Sequence, residues 1–246
     1  VTQYRLGGFD DVGILAVQNA LYGEIYGSKF LRVEDKGSAN YGQLILSSTG
    51  LPQRGAQNVR LGNQQATGLM GITNTFGYKG LTFAFLVDAR FGGQIFSATH
   101  VYLQGNGSSS VTVKDGDRKD FVVAGVVPDG SGGYKANTVA TTPQLYWQAI
   151  SQTGNLGISE ANLYDATNIR LRNVQLSYDI PKSFLGKNFI QRAKVGVSCN
   201  NVWMIKSNMN GLDPESVFAT GTNATGFENA SPPTNRTFLI NLSLSF

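Results

Sequence analysis

The sequence predicts an all-β chain of long antiparallel strands, and three observations carry that prediction. Apolar and polar residues alternate strictly over several runs, aromatic residues reach 11% with 14 Phe and 10 Tyr, and helical periodicity is scarce. Charged residues are only 15% of the 246, against roughly 25% in a typical soluble domain. The alternation suits a two-sheet sandwich or a transmembrane barrel, whose strands need only about 9–11 residues. Aromatic residues on the apolar side, opposite small polar ones, favour the barrel.

The runs ITNTFGY (72–78) and LTFAFLVDARF (81–91) both alternate and are joined by Lys79-Gly80, a tight hairpin signal. Leu81, Phe83, Phe85, Val87 and Ala89 share one face, with Thr82, Ala84, Asp88 and Arg90 on the other. The polar stretch 92–167, containing QGNGSSS, KDGDRKD and PDGSGG, reads as turn and loop chemistry. One helix candidate interrupts it at 142–152, where Pro143 suits a helix start. Next, Val174, Leu176 and Tyr178 alternate with Gln175, Ser177 and Asp179, and Ala193, Val195, Val197 and Cys199 with Lys194, Gly196, Ser198 and Asn200. A second polar loop covers 206–235. In the final run Phe238, Ile240, Leu242, Leu244 and Phe246 alternate with Leu239, Asn241, Ser243 and Ser245. The connections run very short, very long, medium and long. With the last strand descending to the periplasm, 92–167 and 206–235 fall outside, and Lys79-Gly80 and 181–192 fall inside.

Composition excludes several functions. The net charge of +4 is scattered without a Lys/Arg run, which argues against nucleic acid. One cysteine, Cys199, allows no internal disulfide and reads as a small strand residue. One histidine, His100, allows no His-rich metal site and reads as a loop residue. Neither G-x-S-x-G nor HExxH occurs, so no catalytic residue, cofactor or metal is expected, and the chain reads as a non-enzyme. Asp115, Asp117 and Asp120 in KDGDRKD lack the glycine and glutamate spacing of an EF-hand and read as a solvated loop. Val1 opens mid-pattern without a signal sequence, so the chain is expected to be part of something longer.

Candidate contacts lie in the loops. Tyr146 and Trp147 offer aromatic faces for a sugar ring or a partner, or pack the short helix. Trp203, just beyond the penultimate strand, suits an interfacial girdle or a contact. Asp213 and Glu215 suit turn capping or a ligand role.

Six stretches together resemble the C-terminal region of the SusC/RagA family of TonB-dependent outer-membrane transporters. They are EIYGSKF (24–30), GITNTFGYKGLTFAFLVDARFGGQIFSAT (71–99), IRLRNVQLSYDIP (169–181), CNNVWMIKS (199–207), GLDPE (211–215) and PPTNRTFLINLSLSF (232–246). Their order and spacing span most of the chain. The sequence departs from the family after RLGN (60–63), where Gln64-Gln65-Ala66 replaces a Pro-containing stretch. The resemblance implies that residues 1–246 are one partial domain, part of a transmembrane antiparallel barrel of 22 strands whose N-terminal plug is absent from this chain. It implies a multi-pass protein of a Gram-negative, Bacteroidetes-like outer membrane, importing oligosaccharides or peptides. A SusD-like lipoprotein would serve as lid, and TonB would act through the missing N-terminal part. Phe238, Ile240, Leu242, Leu244 and Phe246 would then close the barrel facing lipid, with Phe246 as assembly signal. A passive porin, a surface adhesin and a soluble carbohydrate-binding sandwich are the alternatives.

Overall fold

The computed structural model describes residues 2–113, 116–186, 189–218 and 221–246. Along the chain run β1 (Gln3–Phe9), β2 (Val12–Val17), β3 (Glu24–Gly27), β4 (Val59–Asn63), β5 (Gly68–Tyr78), β6 (Leu81–Phe91) and β7 (Gln94–Ser97). Helix α1 (Ala98–Gly105) follows, then β8 (Phe121–Val122), β9 (Val126–Pro128), β10 (Tyr134–Ala136), β11 (Ala140–Thr141), α2 (Pro143–Ser151) and β12 (Leu163–Asp165). The rest comprises β13 (Asn168–Ile180), the one-turn α3 (Lys182–Leu185), β14 (Arg192–Ser207), β15 (Phe227–Glu228) and β16 (Thr237–Ser245). Among the described residues no helix is long and apolar enough to cross a membrane. The chain divides into two compact units.

The sheet unit comprises 66–93, 165–216 and 232–246. Its five strands pair in the order β16-β14-β13-β6-β5, all antiparallel. These are the five long strands that the alternation marks. The β5–β6 hairpin turns at Lys79 and Gly80, both at positive φ, as a two-residue hairpin loop requires. Across the sheet, register aligns Phe76, Phe83, Leu176, Val197 and Ile240 in one row and Tyr78, Leu81, Tyr178, Val195 and Leu242 in the next. Paired residues project to the same side, so these rows build one continuous apolar face. That face is open: Ile240 is 83% exposed and Leu242 67%. The opposite face carries Thr75, Ala84, Gln175, Ser198 and Leu239 in one row, and Gly77, Thr82, Ser177, Gly196 and Asn241 in the next. Cys199 sits on the apolar side, paired with Val174 and Phe238. Three hydrogen bonds tie the strand ends where the chain leaves this unit and returns. Thr67 N donates to Phe91 O at 2.9 Å, Gly92 N to Thr167 Oγ1 at 2.9 Å, and Ala166 N to Gly93 O at 3.0 Å.

The second unit comprises 1–65, 94–164 and 217–231. Here β1 to β4 form an antiparallel meander, and β12, β7 and β15 a three-stranded sheet. Its core packs Val12, Ile14, Ile25, Phe96, Val101, Leu156 and Phe227, with the Phe96 and Phe227 rings stacked at 5.6 Å. Each such fully buried side chain contributes about 1.5–3 kcal/mol. Most of 92–167 therefore belongs to a folded body with its own core, where turn chemistry suggests open loop. His100 is likewise not a loop residue. It lies buried in α1, its Nδ1 2.9 Å from Oγ of Ser97, the residue that caps the helix. Ser97 Oγ also donates to buried Glu228 at 2.6 Å.

Gln64, where the sequence departs from the resembling family, is a buried crosslink. Its Nε2 donates to Asn223 O at 2.7 Å and its Oε1 accepts from Gly226 N at 2.8 Å, so one amide serves as a short strand partner. Gly226 is required beside it, because a Cβ there would meet Gln64 Cβ at 2.7 Å.

Candidate functional site

The candidate residues fall into three places. The first is the helix α2. Thr142 caps it through its hydroxyl, which accepts from Leu145 N at 3.2 Å, and Pro143 occupies the first turn, where no amide donor is needed. Tyr146 turns inward, edge-on to Phe121 at 5.1 Å and packed against Leu46, Val123 and Val127. Burial pushes its phenol pKa up. Trp147 lies edge-on to Tyr146, also at 5.1 Å, and faces a cleft of about 590 Å³. Gln144, Gln148, Arg118 and Asp120 line the same cleft. Trp147 also borders a neighbouring hollow of about 480 Å³. The adjacent pair thus divides its work, Tyr146 as core and Trp147 as cleft wall.

The second place is the polar side of β13. Arg170 is 3% exposed, and its Nη2 donates to Asp213 Oδ1 at 2.5 Å while Nη1 donates to Thr234 Oγ1 at 2.8 Å. Thr234 in turn donates to Asp213 Oδ2 through its hydroxyl, at 2.5 Å, and through its amide, at 3.1 Å. Burial raises the Asp213 pKa, but the hydrogen bonds from Arg170 and Thr234 outweigh it and hold the carboxyl at about 2. Beside it, Arg172 donates to Glu215 Oε2 at 2.8 Å and to Asp88 Oδ2 at 2.7 Å. Those hydrogen bonds from Arg172 hold the Glu215 carboxyl below its usual range against the effect of burial. A bulge sets this up, since β6 pairs Val87 with Leu171 and Leu86 with Asn173, leaving Arg172 unopposed. Asp213 and Glu215 are therefore neutralised anchors of the segment following β14. Alternation does not reveal their partners, because a bulge breaks the period where the two arginines sit.

The third place is the far end of β14. Trp203 pairs with Leu171 on the apolar side and is 59% exposed. It borders a pocket of about 380 Å³, together with Arg170, Met204, Ser207, Asp213 and Arg236. At the opposite end of the strands, Phe246 stacks on Phe189 at 5.0 Å. Asp115 lies outside the described residues; among those described, no three His, Cys, Asp or Glu side chains gather as a metal site.

An antiparallel sheet with an exposed apolar face and a polar reverse matches the pattern of a transmembrane barrel wall. The chain is 28% identical over 182 residues to TonB-dependent receptor P3 of Formosa agariphila, covering 72% of this chain and 16% of that protein. TonB-dependent receptor P39 of the same organism is 29% identical over 188 residues, 76% of this chain and 17% of that protein. This chain thus spans about a sixth of the length of the curated relatives it matches. No protein-family model matches it. All of it superposes on a quarter of a chain of the RagAB peptide importer, with TM-score 0.56 in the closed-closed state and 0.54 in the open-open state, at 16% and 14% identity. The resemblance to SusC/RagA-family TonB-dependent transporters is borne out. This chain is related to TonB-dependent receptors and folds as an antiparallel segment of their β-barrel.

Proposed function

We propose that the chain is part of the barrel wall of an outer-membrane active importer that takes up oligosaccharides or peptides. The observation that carries this reading is the continuous, open apolar face across five meandering strands, joined to kinship with TonB-dependent receptors. The apolar rows contact lipid and the polar rows line the lumen. The connections 92–167 and 206–235 lie outside the cell, and β16 closes the barrel against a strand absent from this chain. In the whole protein a plug fills the lumen, TonB supplies the energy, and a SusD-like lipoprotein covers the mouth. Substrate passes by confinement and gated release, with no bond chemistry. Trp147 offers its face to the substrate or the lid.

Deletion of the whole gene tests the reading through growth on peptides and oligosaccharides as sole nutrient. The expected result is lost uptake, restored by the full-length protein but not by one lacking its TonB-interacting segment, with a surface lipoprotein co-purifying. Full rescue without that segment would instead establish a passive porin.

A further inference from the structure

We propose that the pocket beside Trp203 binds the phosphate of an outer-leaflet lipid headgroup, an inference that rests on the barrel reading and its loop orientation. The pocket, about 380 Å³, opens where β16 stops pairing with β14 at Asn200–Thr237, so among the described residues the stretch 201–207 of β14 has no strand beside it on that edge. Unpaired strand-edge amides are donors in search of an acceptor. One wall holds Arg170, whose Nε is buried without a hydrogen-bond partner although its other nitrogens are engaged. Another holds Arg236, exposed and without a hydrogen bond or ion pair among the described residues.

The carboxylate in the lining, Asp213, is already taken by Arg170 and Thr234, and neighbouring Glu215 is taken by Arg172. The Arg170–Asp213 pair is neutral as a unit, so the lining keeps one uncompensated cation, Arg236, beside strand-edge donors, which is chemistry for an anion. Trp203 names the source of that anion. Its ring stands on the apolar side of the sheet, at the strand end from which the long connections leave, where an indole meets both acyl chains and headgroups. A lipid phosphate anchored beside acyl chains satisfies both features, whereas a free anion leaves the indole unused.

The test uses the full-length receptor in detergent, with bisphosphorylated lipid A as probe and binding read by native mass spectrometry and titration. Arg236→Gln should weaken lipid A binding by about tenfold, the loss of one charge-assisted contact. It should leave binding of dephosphorylated lipid A unchanged, and Arg236→Lys should retain most of the affinity. Equal binding by Arg236→Gln and parent overturns the proposal, as does indifference to dephosphorylation. Equal affinity for inorganic phosphate would show an anion site that does not read lipid. Heat-modifiable migration of the same sample separates the two levels. A protein lacking it fails the barrel reading itself, and one showing it without phosphate preference fails this inference alone.

Discussion

A guanidinium with 3% exposure needs a carboxylate in close contact to compensate its buried charge, and Arg170 has Asp213 at 2.5 Å. Asp213→Asn would leave that charge buried and uncompensated, so it should destabilise the folded barrel by about 3–5 kcal/mol. Glu215→Gln acts on a pair about one-third exposed and should cost only about 0–1 kcal/mol. Denaturant titration of the two variants in detergent checks the contrast, and equal losses would contradict it. The same pair sets a pH window. The Asp213 carboxyl, near 2 in the fold, lies below its unfolded value, so its stabilisation is complete above about pH 4 and disappears as pH falls through about 2. The protection factor of the Thr234 amide, which donates to that carboxylate, should stay constant down to about pH 4 and fall as the pH approaches about 2. At α2, Trp147→Ala should weaken substrate or lid binding without lowering barrel yield, because the ring faces a cleft. Tyr146→Ala removes a packed ring and should lower yield.

Strands behave differently from the single residues they carry. Leu242 projects from the apolar face of β16, and Leu242→Arg would place a charge against lipid at a cost of roughly 2–4 kcal/mol. Ser243→Arg, one residue along on the polar face, should be tolerated. Folding yield into vesicles checks the pair, and equal yields would refute the assigned faces. The long strands were legible in the sequence because alternation is a local signal, and the Lys79-Gly80 turn announces its hairpin with two residues. Helix α2 was legible from Pro143 for the same reason. What alternation could not show is the Arg170–Asp213 pairing across 43 residues, since it depends on a bulge and on where a later segment returns.

At the scale of the molecule, the least legible part was the body built from 1–65, 94–164 and 217–231. Its core residues come from three separated stretches, and no one stretch contains enough apolar residues to signal a core. Phe96 and Phe227 stack across 131 positions of sequence, and Gln64 reaches Asn223 over 159. Short strands of two or three residues, such as β8 and β11, carry no period to detect. On the proposed reading, the native polypeptide needs detergent for extraction and has a mass several times the 26.4 kDa of this chain. Intact-mass measurement on extracted membranes checks this, and a soluble 26 kDa species would overturn it.

The extra residue at Arg172 has a consequence for anyone comparing or editing this strand. The residues facing the apolar side are odd-numbered before it, Ile169 and Leu171, and even-numbered after it, Val174, Leu176 and Tyr178. Arg172 therefore works as a frameshift in the pleat, and the strand is written in two phases. Deleting that one position would make the pairing with β6 regular and leave every other residue on its own face, whereas drawing Arg172 into the regular pleat would put half the strand inside out, turning Gln175 and Ser177 toward the apolar side or Arg170 away from Asp213. Alignments that open or close a one-residue gap here decide which half is read in the correct frame, and grafts between related barrels should be cut on one side of it.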